Sequence, residues 1–387
     1  MHVKFYKEQV QSQSKIEDFP IIDKLIIKER IDDFISDGKK REVLFRVVTS
    51  GSTGTPFTVY HDHAKRRRNT ADAIYFGQLA GFQLGWKLVY LKIWNKINTK
   101  NTWAAWSQNI KPIDVTHLSD TDLKKIASYL QQNKTKKVLL GYASALETLA
   151  MYLDKYYKDG FIENVSAIIA MSEAMNSTTN QLLQRYFKVI PVSRYSNVEN
   201  GIIAQQLPNG QSEFVINWAS YFVEVLEFEN GKHAQLGAIG RIVITDLFNF
   251  AMPIIRYDTG DTGILDWSKD GSKLVLRSVE GRRMDLVFDS QGNIVSSFTI
   301  TNNMWGYPEI KQYQFIQFGS REYKFVLNVP LPFLREHELV SEFKKYFGID
   351  SSILIEYVDE IPLLKSGKRK KVVNLWTKYV QADQVRS

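Results

Sequence analysis

The chain has 387 residues, 44% of them hydrophobic, and its 50 basic and 42 acidic side chains leave a net charge of +8. It contains no cysteine, which excludes disulfides, thiolate catalysis and any cysteine-ligated zinc or iron–sulfur site, so its chemistry must come from oxygen and nitrogen groups. Acidic and basic residues are interspersed, a pattern that disfavours nucleic acid as a partner and suits a mixed surface with room for a small anionic ligand.

The length predicts one large domain and a smaller one. The first residues lack a basic end followed by an apolar stretch, and no apolar run approaches the roughly eighteen residues of a membrane span, so a cytoplasmic location is expected. A helical stretch is predicted over Ile22–Ile35, followed by strands over Val43–Val48 and Phe57–His61 and a helix from about Ala64. The alternation continues with a strand over Lys87–Ile93, a helix over Leu123–Leu130, a strand over Lys137–Leu140, a helix over Ala143–Tyr157, a strand over Val165–Met171, a helix over Gln181–Phe187 and a strand over Val189–Val192. Such alternation implies α/β layers. From Glu213 to Leu276 strand follows strand, with turns at Glu229-Asn230-Gly231 and Lys269-Asp270-Gly271, as in a β subdomain attached to the first part. From about Leu286 a shorter α+β unit carries a helix near Glu336–Phe347. The domain boundary is therefore expected between residues 285 and 286.

Several polar segments interrupt these elements. In "TSGSTGTP", Thr49 to Pro56, five of eight residues carry hydroxyls and two are glycines. The glycines let the backbone approach a ligand closely, and the N–H groups and hydroxyls form a donor array suited to phosphate oxygens, although the P-loop pattern is not met. A polar hairpin turn is the plainer alternative. "MSEAMN" follows the strand at Met171, "RYSNVENG" spans Arg194 to Gly201, "MPIIRYDTGD" runs from Met252 to Asp261, "EGRRMD" from Glu280 to Asp285, and "IPLLKSGKRKKVV" from Ile361 to Val373. The "KRKK" in the last reads most simply as a solvated basic run. The pair His61 and His63 has a chelating spacing, but a strand ending at His61 with Asp62 capping the next helix accounts for it. Lys65 to Arg68 is read most simply as a solvated helix face, although basic residues early in a helix oppose its dipole and would suit a facing anion. Trp94, Trp103 and Trp106 are read as core residues or as the lining of an acyl pocket.

In this order, these segments resemble the motifs of the adenylate-forming superfamily of acyl-CoA synthetases and peptide-synthetase adenylation domains. Within it they are most similar to the phenylacetate–CoA ligase-like and capsular polysaccharide, CapK-type, branch. The resemblance covers nearly the whole chain and implies a large amino-terminal domain, residues 1–285, and a carboxy-terminal lid domain, residues 286–387. It implies that Thr49, Ser50, Gly51, Ser52, Thr53 and Gly54 hold the phosphates of ATP, that Ser172, Glu173 and Ala174 line the adenine pocket, and that the Tyr195 ring covers adenine. Glu199 would help hold Mg²⁺, Asp261 would accept from the ribose hydroxyls, Arg282 would lie near the ribose, and Asp285 would be the hinge. Lys368 would be the catalytic lysine, with Lys365 as a substitute. Three positions depart from the pattern: Ser196 stands for a glycine, Val198 for a hydroxyl residue, and Thr55 where many relatives have lysine.

The implied reaction joins a small carboxylic acid to AMP, releases pyrophosphate, and passes the acyl group to a thiol such as CoA or to an amine or hydroxyl, as of a sugar precursor. A catalytically inactive nucleotide-binding relic is the third reading, against which stands the retention of Glu199, Asp261, Arg282 and Lys368.

Overall fold

The computed structural model describes residues 2–376 apart from 12–13, 50–56, 95–101, 117, 133–134, 158–159, 161, 173–174, 176, 283–286, 296–298, 301–302 and 363–370; of 49, 102–104, 280–282, 294 and 305 it describes the backbone only. The described residues form two compact units that divide between Val279 and Glu280.

The first unit begins with α1 (Lys4–Lys7) and α2 (Lys24–Glu29). Asp23 caps α2 by accepting from the backbone N–H groups of Leu25 and Ile26. Arg30 then leaves helical geometry and a tighter 3₁₀ turn follows over Ile31–Phe34, so the predicted single helix is broken in two. Strands β1 (Phe45–Thr49) and β2 (Phe57–His61) pair antiparallel with Thr49 opposite Phe57. Asp62 caps α3 (His63–Leu79) through the Lys65 N–H at 2.8 Å.

Next come β3 (Lys87–Lys92), α4 (Thr102–Ser107), β4 (Ile110–Asp114), α5 (Asp120–Gln131), β5 (Lys137–Tyr142), α6 (Ala143–Tyr156), β6 (Val165–Met171), α7 (Ser177–Phe187) and β7 (Val192–Asn197). Strands β3 to β7 pair parallel. The central ones are nearly continuous apolar runs because both faces are covered. Leu139, Ile168 and Ala170 face α5, α6 and α7 through Leu130, Leu146, Leu149 and Leu183. The alternate residues Leu140, Ile169, Met171 and Val192 face the other way, with Phe82, Tyr90 and Tyr142.

Strands β8 (Gly201–Gln206), β9 (Phe214–Ile216), β10 (Tyr221–Leu226), β11 (Ile239–Asp246), β12 (Tyr257–Trp267) and β13 (Leu274–Arg282) complete the unit. The strand-rich part is continuous with the parallel part, in one eleven-stranded sheet of order β10-β11-β12-β13-β9-β8-β7-β6-β5-β3-β4.

In the second unit β14 (Val287–Phe288) pairs with β15 (Ile294–Val295), and β16 (Gln312–Gln317), β17 (Glu322–Asn328), β18 (Ser352–Tyr357) and β19 (Val372–Asn374) form a sheet of order β18-β17-β16-β19. Helix α8 (Glu336–Phe347) places Leu339, Phe343 and Phe347 in one core with Phe315, Tyr323 and Phe325. The α/β architecture with a smaller α+β unit is the one the sequence leads one to expect. Among the described residues no helix is long and apolar enough to cross a membrane.

Candidate active site

The carboxyl ends of parallel strands are where open α/β sheets take ligands. Strand β6 ends at Met171, and Ser172 then adopts a left-handed φ of 68° that turns the chain away. Met171 is the register partner of Arg194 on β7, which sets Ser172 beside the strand that carries Tyr195. Arg194–Gly201 is a motif that does not read as a strand in the sequence. In the structure its first half is β7, and only Val198–Asn200 forms the turn into β8.

Tyr195 is buried, and its hydroxyl donates to Asp261 Oδ2 at 2.8 Å and lies 3.2 Å from Thr259 Oγ1. Burial first, and then the Asp261 charge, push this phenol well above its ordinary range, so it stays a donor. Asp261 is not at the end of its strand. The register of β11 against β12 slips so that Thr259, Gly260 and Asp261 all fall opposite Ile242, a bulge that Gly260 permits with a φ of 75°. A bulge of this kind re-aims a side chain, and here Asp261 reaches Tyr195. In the sheet order β12 and β7 are four strands apart, about 19 Å if the sheet were flat. Their hydrogen bond therefore requires the sheet to curl back on itself.

Glu199 is 2% exposed. Its Oε1 accepts from the Tyr257 hydroxyl at 2.8 Å and lies 3.0 Å from Lys24 Nζ, so one partner comes from β12 and the other from the first residue of α2. The same Lys24 ammonium stands 5.8 Å from the centroid of the Phe57 ring, which stacks on Tyr257. Phe57, the first residue of β2 and the partner of Thr49, thus stands beside the groups that hold Glu199.

The main chain at Glu199 is fixed as firmly as the carboxylate. Its carbonyl accepts from His61 Nε2 at 2.7 Å, which assigns the hydrogen to that nitrogen. Burial holds the His61 imidazole below its usual value. The neighbouring Asn200 carbonyl accepts from Tyr221, whose hydroxyl accepts from Lys65 Nζ at 3.0 Å. Lys65 is fully buried with its ammonium 2.5 Å from Asp246. Burial lowers the Lys65 amine and Asp246 raises it. This corrects the reading of Lys65 to Arg68 as a solvated face: Arg66 and Arg67 are exposed, whereas Lys65 is buried and Arg68 reaches Asp72 at 3.1 Å and Ser220 at 2.6 Å. His61 is committed to a carbonyl, and no group of three His, Cys, Asp or Glu among the described residues could hold a metal by itself.

Tyr195, Glu199 and Asp261 are thus brought into one region, linked through Tyr257 and the bulge that follows it. Arg282 is the last residue of β13. Ser50, Gly51, Ser52, Thr53, Gly54, Thr55, Glu173, Ala174, Asp285, Lys365 and Lys368 lie outside the described residues, as do the side chains of Thr49, Arg282 and Trp103. Tyr257, Lys24, Lys65 and Asp246 were not singled out as site residues by the sequence reading. Tyr257 lies inside the quoted "MPIIRYDTGD", where a tyrosine two residues before the threonine was the available signal; the other three carry no local signal.

Residues 287–375 match the family described as the CapK C-terminal domain. Over 374 residues the chain is 22% identical to Protein CapK of Staphylococcus aureus, covering 93% of this chain and 80% of that protein. Its fold is similar to that of 2-hydroxyisobutyryl-CoA ligase in the postadenylation state in complex with R3-HIB-AMP, with a TM-score of 0.70 at 14% identity over 100% of this chain and 88% of the other. The chain has the adenylate-forming superfamily fold. Other adenylate-forming structures agree: ATP-bound MatB from Rhodopseudomonas palustris has a TM-score of 0.60 at 16% identity, covering 91% of this chain and 70% of that one. The anthranilate CoA ligase AuaEII in complex with anthranoyl-AMP has a TM-score of 0.61 at 15% identity over 91% and 68%. In this fold the bulge brings Asp261 to Tyr195, and Tyr257 at the start of the same strand holds Glu199 at its turn.

Proposed function

We propose that the protein is an AMP-forming acid ligase that activates a small carboxylic acid with Mg·ATP and then passes the acyl group to an acceptor. In the first step a carboxylate oxygen attacks the α-phosphorus, the bond to the bridging oxygen breaks, and pyrophosphate leaves with that electron pair. The observation that carries this reading is the convergence of Tyr195, Asp261 and Glu199, side chains from two distant strands and a turn, in an adenylate-forming fold.

Each residue then has a chemical task. Asp261 is an acceptor-only carboxylate able to take both ribose hydroxyls, and Tyr195 holds it in place with its ring beside the base. Glu199 offers one buried carboxylate, which fits magnesium, an ion bound through one or two carboxylates with phosphates and water completing its shell. When bound, that ion would neutralise charge on the leaving phosphates. Thr49 to Gly54 would hold the β- and γ-phosphates, Ser172 to Ala174 the adenine edge, and Arg282 the ribose. Lys368 supplies the cation that offsets repulsion between carboxylate and α-phosphate, and Asp285 is assigned the hinge.

A buried carboxylate held by Tyr257 and Lys24 is costly to keep, which supports an active enzyme over an inactive relic. The resemblance of the motifs to the capsular polysaccharide, CapK-type, branch, with which the likeness to Protein CapK over most of the chain agrees, supports a role in surface polysaccharide synthesis with an amine or hydroxyl of a sugar precursor as acceptor, and a cytoplasmic location is proposed with it. A CoA thiol is the second reading, supported by the fold shared with CoA ligases.

The test is exchange of labelled pyrophosphate into ATP with Mg²⁺ and a panel of aryl, fatty, hydroxy and amino acids. Exchange is expected with at least one acid, and Glu199→Gln should lower it about a hundredfold or more, with excess Mg²⁺ restoring part. Calorimetry that finds no binding of Mg·ATP sinks the proposal.

A further inference from the structure

Most buried charges in the first unit have an opposite charge at hand: Lys65 has Asp246, Arg256 has Glu224, and Glu199 has Lys24, while the buried Lys137 ammonium donates to backbone carbonyls. The half-buried Arg194 is held by a neutral side chain instead. Its Nε donates to the neutral Gln205 Oε1 at 2.7 Å, and Gln205 is itself pinned through its amide to the Phe76 carbonyl at 2.7 Å. No carboxylate among the described residues pairs with this guanidinium. The surrounding protein withdraws water from it and pulls it down to about 10, with only the Tyr90 hydroxyl opposing that shift, so it remains charged at neutral pH. A cation partly withdrawn from water with no anion beside it is disfavoured, and a ligand that brings the anion relieves that.

The position of Arg194 says which ligand. Arg194 within β7, Met171 at the end of β6 and Tyr142 at the end of β5 are successive register partners, one row across three parallel strands. Tyr90 reaches Met171 with its hydroxyl at 3.6 Å from Sδ, and the Trp94 ring meets the Tyr90 ring edge-on at 5.4 Å. Burial pushes the Tyr90 phenol up to about 12, so it stays neutral. Tyr195, the next residue along the strand, sends its side chain to the opposite face and to Asp261. The row at Arg194 is therefore on the other side of β7 from the groups assigned to the nucleotide.

We propose that Arg194 binds a second carboxylate of the acid substrate, one that is not activated, so that the substrate class is the dicarboxylic acids. This deepens, and rests on, the adenylating reading above. The carboxylate that attacks phosphorus becomes an acyl group whose own oxygens carry no charge, the remaining charge of the mixed anhydride lying on the phosphate, whereas a second carboxylate stays anionic through both half-reactions. Its pairing with a planar guanidinium can be bidentate. Tyr90 and Trp94 give the carbon skeleton an aromatic surface.

The experiment is calorimetry of the intact protein with α,β-methylene-ATP and Mg²⁺ present, titrating succinate against butyrate and phthalate against benzoate. In each pair the dianion is expected to bind at least tenfold more tightly to the wild type. That preference should fall below threefold in Arg194→Met and survive in part in Arg194→Lys. Ligand-free Arg194→Met should also melt at or above the wild-type temperature, since an unpaired, desolvated charge has been removed. No dianion preference in the wild type, a preference that survives Arg194→Met, or binding of the ATP analogue without binding of any of the four acids overturns the inference. Failure of the ATP analogue itself to bind is visible in the same titrations and overturns the nucleotide reading beneath it.

Discussion

The two units are stabilised in different ways. In the second, Phe315, Tyr323, Phe325, Phe343 and Phe347 form an aromatic cluster with ring centroids 4.7 to 6.5 Å apart. In the first, apolar layers of the same kind surround a polar interior, and every buried Asp, Glu, Lys or Arg among the described residues belongs to this unit. Apolar packing is non-directional and suffices to hold a small α+β unit together. A buried ion pair adds little net stability but has a fixed geometry, so its concentration around Glu199 and Asn200 points to positioning as its use.

The largest expected effect tests that contrast directly. Lys65→Met leaves Asp246 buried without its cation and should cost roughly 3–5 kcal/mol in chemical denaturation. The double variant Lys65→Met/Asp246→Leu should regain much of this, yet still bind Mg·ATP more weakly than wild type because Tyr221 has lost its donor. A double variant with full ATP affinity would reduce the network to simple stability and erase the difference between the units.

Acidification should separate the units next. The His61 imidazole is held below its usual value near 6.5 by burial. The unfolded chain therefore takes up a proton that the folded chain refuses, so stability is full above the usual value and falls as the pH drops from there toward the folded value. The slope contributed is at most about 1.4 kcal/mol per pH unit. His61→Asn should flatten the melting temperature between pH 6.5 and 5. Equal slopes in wild type and His61→Asn would sink the assignment.

The smallest effect is at the nucleotide. Tyr195→Phe removes the donor to Asp261, a bond to a charged acceptor worth about 1.5–3 kcal/mol at most and less where water can replace it. A loss of ATP affinity of about tenfold is expected by calorimetry. An unchanged affinity would mean that the curl of the sheet alone positions Asp261.

Much of the fold is legible locally. Phe57–His61, Val165–Met171 and Glu336–Phe347 have the predicted bounds, because alternation, a continuous apolar run and an amphipathic face are strong signals, and Asp62 announces its helix as a cap. Helix α4 and strand β4 were not predicted: the helix has six residues and the strand carries Pro112 at the sheet edge. Strand β7 was predicted too early because Arg194, Ser196 and Asn197 do not read as a strand, although Arg194 is held by Gln205 on the next one. Lys65 was misread because a run of basic residues ordinarily faces water. Its hydrogen-bond partner Tyr221 is 156 residues away, beyond any local pattern. The resemblance singled out Tyr195, Glu199 and Asp261 one motif at a time, and their meeting depends on a curled sheet that no motif encodes.

The hydrogen bond between Tyr195 and Asp261 also spans 66 residues of chain. Strands β8 to β11 and the first part of β12 are made between them, so a chain growing from its amino terminus has Tyr195 and Glu199 long before it has Asp261 or Tyr257 to meet them. Closing so long a segment has an entropic cost that only the assembled strands offset. The candidate nucleotide pocket is accordingly among the last features of the first unit to come into being, and a chain stopped short of Asp261 has no pocket to fill. In refolding, recovery of nucleotide binding would report completion of the whole curled sheet, a stricter signal than the return of secondary structure.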